Sequence, residues 1–367
     1  MGATADVVVI GGGVVGASTL YHLARAGCRD AVLLERHTLA SGSTSAAAGG
    51  FRAQFSDELN IRIAVECIAR FARFADEVGA DIGFRQVGYL FLLRAEEVPA
   101  FRASVALQRS LGVPAEVIDV ADALRHVPGT SPDGLTAATY CPIDGLATPE
   151  AVVHGYAAAA RRLGARVQQG TAANEITVEA GHVTGVRTPH DFIATGTVVL
   201  AAGVWSAGLG RTAGVDIPVT PERRYVYYCA TAGPLPARTP LTIDFATGFY
   251  FHREGSGLIL GGPWATEEAL APFALARLPF AAHLGVASAW SGLYEMSPDH
   301  NAMVGACDEP AGLLYATGFS GHGFQQAPVV GEYLAGLALG RPSTMDLSAL
   351  SLRRFADARP RPEALVV

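Results

Sequence analysis

The chain has 367 residues, of which 50% are hydrophobic and 17% charged, and its formal net charge is −7. This size and composition suit two domains with a large buried core, and they argue against disorder and against nucleic acid as the main partner. All 27 basic side chains are arginine, and the five scattered cysteines predict reduced thiols in a cytoplasmic protein. No apolar run predicts a membrane span, and no residue cluster predicts a metal site. The first strand is expected to begin too early to leave room for a signal peptide.

The opening segment predicts a dinucleotide site. A short apolar strand at residues 7–10 is followed by Gly11, Gly13 and Gly16 at G-x-G-x-x-G spacing, and then by a helix. Gly11 permits a tight turn, Gly13 lets the backbone approach a pyrophosphate, and Gly16 lets the helix pack closely on the strand. Glu35 ends the next strand about twenty residues later, where a carboxylate meets ribose hydroxyls. An acid at this position favours an unphosphorylated ribose, as in FAD or NAD.

The elements that follow alternate between helices and strands. Helices are predicted at 57–79, 99–111, 120–126 and 149–164, with Thr148 as a cap before Pro149 in the last of them. Strands are predicted at 88–93, 224–230, 248–252 and 257–261. The segments ARVQQG, ITVEAGHVTGVRT and TVVLAAG predict a strand, a hairpin and a strand that extend the first sheet. LLYATGFSGHGFQQAPVVGEYLAGLALG predicts a strand, a glycine loop and a long helix.

This order predicts an α/β fold in which a Rossmann-like dinucleotide-binding domain is interleaved with a smaller α+β substrate domain built on an antiparallel sheet. The first domain is expected at 1–85, 145–220 and 305–367, and the substrate domain at 86–144 and 221–304. The second domain is therefore inserted in pieces.

Several separate segments resemble one family, the FAD-dependent amine and amino-acid oxidoreductases of the D-amino-acid oxidase superfamily. They are VVVIGGGVVGAS, LASGSTSAAAGGFR, DGLATPE, VVLAAGVWS, GLYEMSPDHNAMVG and ATGFSGHGFQQAPVVGEYLA. The branch they resemble most contains sarcosine oxidase, glycine oxidase and the proline dehydrogenase β-subunit. This resemblance implies FAD as the cofactor and oxidation of an amine or amino acid from C–N to imine by hydride transfer to flavin. The implied substrates are secondary, N-methyl, cyclic or D-amino acids.

The resemblance also implies which residues bind FAD. The loop with Ser43 and Thr44 would wrap the pyrophosphate and lead Gly49 and Gly50 under the flavin ring, although a flexible surface loop is the alternative. The last helix would point its N-terminus at the flavin pyrimidine ring, where backbone donors stabilise the charge of the reduced ring. Trp205 would close over the cofactor or would be a core aromatic. The whole expected set is Gly11, Gly13, Val14, Val15, Gly16, Glu35, Arg36, Ser43, Thr44, Gly49, Gly50, Ala173, Ala202, Gly203, Trp205, Gly318, Gly321, His322, Gly323, Phe324 and Gln325.

Five residues are expected at the substrate or the reacting part of the flavin. They are Arg52, Tyr250, Tyr294, His322 and Gln325. By resemblance, Arg52 would bind the substrate carboxylate, because a planar guanidinium suits a bidentate contact. A surface salt bridge is the alternative for Arg52, and plain packing is the alternative for the two tyrosines.

Four positions depart from the family pattern. Gly292 stands where monomeric sarcosine oxidases attach the flavin through cysteine, so FAD is expected to be non-covalent. Ile259 replaces a lysine that assists oxygen reduction, Gln325 replaces a lysine that holds the carboxylate, and Pro263 replaces a histidine. The family inference survives these changes, but identity as a sarcosine oxidase does not. Two alternatives stay open: a dehydrogenase that passes electrons to a quinone or partner subunit, and a non-catalytic FAD-binding subunit of a larger complex.

Overall fold

A computed structural model describes residues 3–366, whose strands form four sheets. The strands are β1 (Ala3–Thr4), β2 (Val7–Ile10), β3 (Ala31–Glu35), β4 (Gly50–Phe51), β5 (Tyr89–Leu93), β6 (Glu116–Ile118), β7 (Ala137–Cys141), β8 (Gly145–Leu146), β9 (Arg166–Gln169), β10 (Glu175–Glu179), β11 (His182–Arg187), β12 (Phe192–Ala194), β13 (Val198–Leu200), β14 (Thr220–Cys229), β15 (Leu241–Asp244), β16 (Phe249–Glu254), β17 (Gly257–Gly262), β18 (Val286–Met296), β19 (Met303–Ala306) and β20 (Leu313–Thr317). The α-helices are α1 (Val14–Arg25), α2 (Glu58–Ala72), α3 (Phe74–Val78), α4 (Val98–Ser110), α5 (Val120–His126), α6 (Pro149–Arg162), α7 (Ser206–Thr212), α8 (Glu267–Arg277), α9 (Gly323–Leu339) and α10 (Arg353–Ala356). Short 3₁₀ helices lie at Gly203–Trp205, Pro279–His283 and Ser348–Leu350.

The part that contains the glycine motif is built on a six-stranded sheet in the order β19-β20-β13-β2-β3-β9. All its strands run parallel except β19, which is antiparallel to β20. Val7 and Val9 pack into a core with α1 and α9, whereas Val8 and Ile10 pack against the four-stranded sheet on the other face. Coverage of both faces explains why β2 is apolar at every position. The carboxyl ends of β2 and β3 are the edge where this class of sheet binds ligands.

The predicted hairpin forms, but its expected placement is wrong. β10 and β11 do not extend the first sheet; they pair with each other and with β12 in the separate sheet β1-β12-β11-β10. Ile176, Val183 and Val186 give this hairpin one buried face, and its other positions are mostly polar. A strand that is apolar on one face suits a sheet with one solvated side, unlike the parallel sheet beside it.

The second part is an eight-stranded sheet in the order β18-β14-β17-β16-β15-β5-β7-β6. Neighbouring strands are antiparallel except β15 and β5. One face packs with α5 and α8 in a core that contains Phe249 and Phe251. The other face covers the cavity described below.

The helix predicted at 57–79 is interrupted and consists of α2 and α3. The break at Arg73 turns Phe74 inward, so that its ring centroid lies 4.8 Å from that of Tyr156. Asp57 caps α2, while Thr148 precedes α6 without a side-chain capping hydrogen bond. Within residues 3–366, no helix has the length and apolar character that crossing a membrane requires.

Candidate active site

A cavity of about 640 Å³ extends from the carboxyl ends of β2 and β3 to the start of α9. Its volume lies within the range of roughly 300–1,000 Å³ that is usual for cofactor and ligand sites. Every residue expected from the sequence to bind cofactor or substrate lines it, except Gly16 and Gly318. Those two glycines act through packing: a Cβ on Gly16 would lie 2.0 Å from the Gly11 carbonyl oxygen, and one on Gly318 would lie 2.4 Å from Met303 Cε.

The glycine turn has the geometry that a pyrophosphate needs. Gly11 has a φ of +114°, and a Cβ there would lie 2.2 Å from the carbonyl oxygen of Ala201. A Cβ on Gly13 would meet only Thr44 Oγ1, at 3.4 Å, so this residue is open toward the cavity. The backbone can therefore approach a phosphate directly at Gly13, while Gly11 allows the chain to turn into α1.

Glu35 is fixed at the end of β3 by two backbone donors. Gly12 N–H donates to Oε2 at 2.7 Å, and His37 N–H donates to Oε1 at 2.8 Å. Each carboxylate oxygen can accept a further hydrogen bond, which leaves room for ribose hydroxyls. The sequence analysis missed Gly12, although its place between two motif glycines could have indicated it.

The loop after Glu35 is tied to both parts of the protein. Thr44 Oγ1 accepts a hydrogen bond from Val14 N–H at 3.2 Å, and Ser43 Oγ donates to the Leu293 carbonyl at 2.6 Å. Gly49 has a φ of +76°, and a Cβ there would lie 2.3 Å from the Ala147 carbonyl oxygen. These contacts favour a defined wall of the cavity over a free surface loop.

Trp205 is a rim residue and is not part of the core. It is 40% exposed, and Arg36 Cζ lies 3.8 Å from its ring centroid. Both residues line the cavity near Glu35. The stacked pair borders the part of the cavity that would hold the adenosine of a dinucleotide.

Arg52 is buried, with 4% of its surface exposed, so the surface salt bridge considered for it is wrong. Its guanidinium donates to the carbonyls of Gln54 and Leu365, and Nη2 also lies 3.0 Å from His322 Nε2. The guanidinium stacks on Phe55 at 4.2 Å from Cζ to the ring centroid. Among the described residues, no carboxylate forms an ion pair with it. A buried cation without an anionic partner is costly, which favours an anionic ligand here.

His322 and Gln325 connect the start of α9 to Arg52. Because arginine has only donors, His322 Nε2 must accept from Arg52 and is therefore unprotonated. Burial and the nearby charge of Arg52 lower the pKa of His322 well below its ordinary value. Gln325 Oε1 accepts a hydrogen bond from the backbone N–H of Arg52 at 2.6 Å, and its amide N–H groups can donate to a ligand.

Tyr250 and Tyr294, which were predicted from the sequence, line the end of the cavity away from Glu35, together with Arg224, which was not predicted. Burial raises the pKa of both Tyr250 and Tyr294, so their hydroxyls keep their protons at neutral pH. Arg224 was missed; its Cζ lies 5.2 Å from the Tyr294 ring centroid. Arg224 and Val226 alternate on β14 and both line the cavity, and this period of two could have indicated Arg224.

Two buried carboxyl groups were also missed. Asp144 lies behind Arg52 and accepts from Ala53 N–H at 2.8 Å and from Gln54 Nε2 at 3.1 Å. Burial raises the pKa of Asp144 to about 7. Glu295 lines the cavity; burial raises its pKa to about 7, although Thr317 Oγ1 donates to it at 2.8 Å.

The departures from the family pattern lie in different surroundings. Ile259 is buried in the sheet, where it pairs with Tyr228 and His252, and it does not line the cavity. The replacement of lysine by Ile259 therefore removes no charge from the cavity wall. Pro263 is exposed. Gly292 does line the cavity, and a Cβ there would lie 2.7 Å from Ala46 Cβ. Among the described residues, no cysteine lines the cavity.

Residues 6–337 match the family described as FAD dependent oxidoreductase. The chain belongs to this family. It is 31% identical to FAD-dependent oxidoreductase domain-containing protein 1 of Bos taurus, over 95% of this chain and 84% of that protein. It is also 31% identical to mitochondrial sarcosine dehydrogenase of Homo sapiens, over 96% of this chain but only 42% of that protein. The crystal structure of L-proline dehydrogenase from P. horikoshii superposes with a TM-score of 0.91 and 30% identity, and covers 98% of this chain and 100% of that chain.

Membership of the family confirms the predicted α/β fold and FAD as the cofactor, and the chain is an FAD-dependent oxidoreductase. The residues of the cavity fit this cofactor. Glu35 would provide a carboxylate for the ribose, the glycine turn would provide open backbone for the pyrophosphate, and the N-terminus of the 17-residue helix α9 also borders the cavity. A helix N-terminus of this kind favours negative charge.

Proposed function

We propose that this protein oxidises an amino acid at the carbon that carries its amine. The bond between that carbon and hydrogen breaks, a C=N bond forms, and water then hydrolyses the imine to a carbonyl compound and an amine. FAD supplies the two-electron acceptor for the hydride. The observation that carries the proposal is the buried guanidinium of Arg52 at the cavity wall, with which no carboxylate of residues 3–366 forms an ion pair. The names of the sarcosine and proline dehydrogenases among the similar proteins support an amino acid as the substrate.

Arg52 is proposed to bind the substrate carboxylate. An arginine has five N–H donors, of which one Nη1–H and both Nη2–H groups contact Gln54, Leu365 and His322, so Nε–H and the other Nη1–H remain, and each can donate one hydrogen bond to a ligand. The three contacts hold the guanidinium in one orientation before any ligand arrives. Such a fixed donor pair positions the substrate instead of only attracting it.

Tyr250, Tyr294 and the start of α9 are proposed to enclose the amine-bearing carbon. The two hydroxyls remain protonated and can donate or accept hydrogen bonds. The backbone N–H groups at Gly321–Gly323 would stabilise negative charge on the flavin ring. Since the pKa of His322 is lowered, it remains neutral and is not expected to act as a proton donor near pH 7.

The test is the Arg52→Met variant, studied by anaerobic bleaching of the flavin with an amino acid and with the matching decarboxylated amine. The variant should weaken binding of the amino acid by ~10- to 100-fold, the value of a lost charged hydrogen bond, with little change in the limiting bleaching rate. Binding of the amine should be unchanged. If wild type prefers the amine, or if the variant is equally affected on both compounds, Arg52 is not the carboxylate anchor.

A second candidate function is transfer of the electrons to a quinone or a partner subunit, not to oxygen. The absence of lysine from the whole sequence favours it, because no ammonium group can lie beside the flavin to assist oxygen reduction. Reduced protein mixed with air should reoxidise slowly, and addition of a quinone or dye should accelerate reoxidation. Rapid reoxidation by air would support an oxidase, with Arg224 as the cation, and a flavin that no amine bleaches would support a non-catalytic subunit.

Two further proposals concern organisation and location. We propose that 1–85, 145–220 and 305–367 form the FAD-binding domain and that 86–144 and 221–304 form the substrate domain, a division that limited proteolysis with mass mapping can test. All five cysteines are unpaired, and this supports a reducing compartment such as the cytoplasm. Fractionation of the native source, with the protein absent from the cytoplasmic fraction, would refute that location.

A further inference from the structure

Two guanidinium groups face the same end of the cavity. Arg224 and Arg52 both line it, and the positive charges of both act on the buried hydroxyl of Tyr294. Arg224 Cζ lies 5.2 Å from the ring centroid of Tyr294. On the other side, a Cβ on Gly321 would lie 2.6 Å from Tyr294 Cε2, and the adjacent His322 is 3.0 Å from Arg52 Nη2. The substrate end of the cavity therefore has two cations near one tyrosine.

The position of Arg224 is set by the pairing of β14. Arg224 and Val226 face the cavity. Arg223 lies on the outer face of the same strand, where it donates to Ser291 Oγ at 2.9 Å. Arg224 pairs across the sheet with Gly292, which has no side chain to cover it. No side chain from that position therefore covers the guanidinium.

The ion pair that Arg224 makes is readily replaced. Its partner, Glu222, has 48% of its side chain exposed, whereas the side chain of Arg224 is only 16% exposed. A pair with one exposed partner is screened by water and holds the arginine weakly. Leu241, Ile243 and Val226 supply apolar lining at this end of the cavity, so displacement of water would strengthen a contact between Arg224 and an anion.

We propose that Arg224 binds a second anionic group of the substrate, and that the preferred substrates are amino acids with an additional carboxylate. This inference rests on the proposed function and names its substrate class. Arg52 binds the carboxylate next to the amine-bearing carbon, Arg224 binds the distal carboxylate, and the amine lies between them. A single-carboxylate amino acid would leave Arg224 paired only with Glu222.

The test compares ligands that differ by one acid group. N-(carboxymethyl)glycine is compared with N-ethylglycine, and glutamate, in both stereoisomers, with norvaline. Binding to the FAD-loaded protein is measured by calorimetry, and flavin bleaching is recorded separately. The variants are Arg224→Met and, as the matched control, Arg223→Met, which removes the same charge from the outer face of the same strand. Flavin content and thermal unfolding verify that both variants are folded.

Wild type should bind the better diacid ~10- to 100-fold more tightly than its monoacid partner, as expected for one charged contact. Arg224→Met should weaken binding of the diacid far more than binding of the monoacid and so remove this preference, and Arg223→Met should retain it. No diacid preference in wild type, or equal weakening of both ligands in Arg224→Met, would overturn the inference. Diacid binding without bleaching would instead refute the proposed oxidation while leaving the Arg224 contact in place.

Discussion

Replacement of Glu35 by alanine tests whether the first βαβ unit holds the adenosine half of FAD. The carboxylate lies at the carboxyl end of β3 and is oriented by N–H groups of Gly12 and His37. Loss of charged hydrogen bonds to ribose should weaken FAD binding by ~1–3 kcal/mol, or roughly 5- to 150-fold. Fluorescence titration of the flavin-free protein measures this change. Glu179→Ala, at an exposed position on β10, is the control and should leave the affinity unchanged.

A parallel titration with FMN identifies which part of the cofactor Glu35 contacts, because FMN has a phosphate but no adenosine ribose. If Glu35 binds the ribose, the variant should lose affinity for FAD and retain its affinity for FMN. An equal loss for both flavins would mean that Glu35 acts through the glycine turn, since its Oε2 also accepts from Gly12 N–H. An unchanged affinity for FAD would refute any contact between this carboxylate and the cofactor.

Three further predictions concern the substrate side, pH and the flavin linkage. Glu363→Gln should raise KM more than it lowers kcat in steady-state assays. The buried carboxylate of Glu363 holds the segment whose Leu365 carbonyl accepts a hydrogen bond from Arg52. An equal effect on KM and kcat would refute this role of Glu363. Burial raises the pKa of Asp144 from 3.8 to about 7, so its contribution to stability is present below pH ~4 and is lost as pH rises through ~7. The Tm should therefore decrease over that interval less steeply in Asp144→Asn, and an identical pH profile would contradict this. Acid precipitation should release all yellow colour, since Gly292 has no side chain to bond flavin; colour retained in the pellet would reveal a covalent bond.

Features set by residues close together in the chain could be predicted from the sequence. The turn at Gly11 and Gly13, the carboxylate of Glu35 and the start of α9 each follow from glycine spacing and strand boundaries over a few residues. Their predicted elements agree with β2, α1, β3 and α9 in type and place. The same local rules could not show that the helix is interrupted at Arg73, because the break accompanies the packing of Phe74 against Tyr156 on a distant helix.

Features set by distant pairing could not be predicted in this way. Arg224 reaches the cavity because β14 lies between β17 and β18, and Asp144 lies behind Arg52 because it pairs with Ala53, 91 residues away. The wrong placement of the β10–β11 hairpin has the same origin, since its pattern predicts a strand pair and not its neighbours. The expectation that Ile259 replaces a lysine beside the flavin came from its motif alone, whereas the sheet register places Ile259 outside the cavity.

The contact between Arg52 and Leu365 has a consequence for the order in which the protein matures. These residues are 313 positions apart, whereas Gly12 and Glu35 are 23 apart. On a ribosome, the glycine turn and its carboxylate can form soon after the first strands emerge. Arg52 emerges soon afterwards and can contact the nearby Gln54 carbonyl, yet its contacts with His322 and Leu365 form only after those residues have been synthesised and have folded back. The glycine turn can therefore begin to form co-translationally, while Arg52 reaches its full set of contacts only after the chain has been made as far as Leu365.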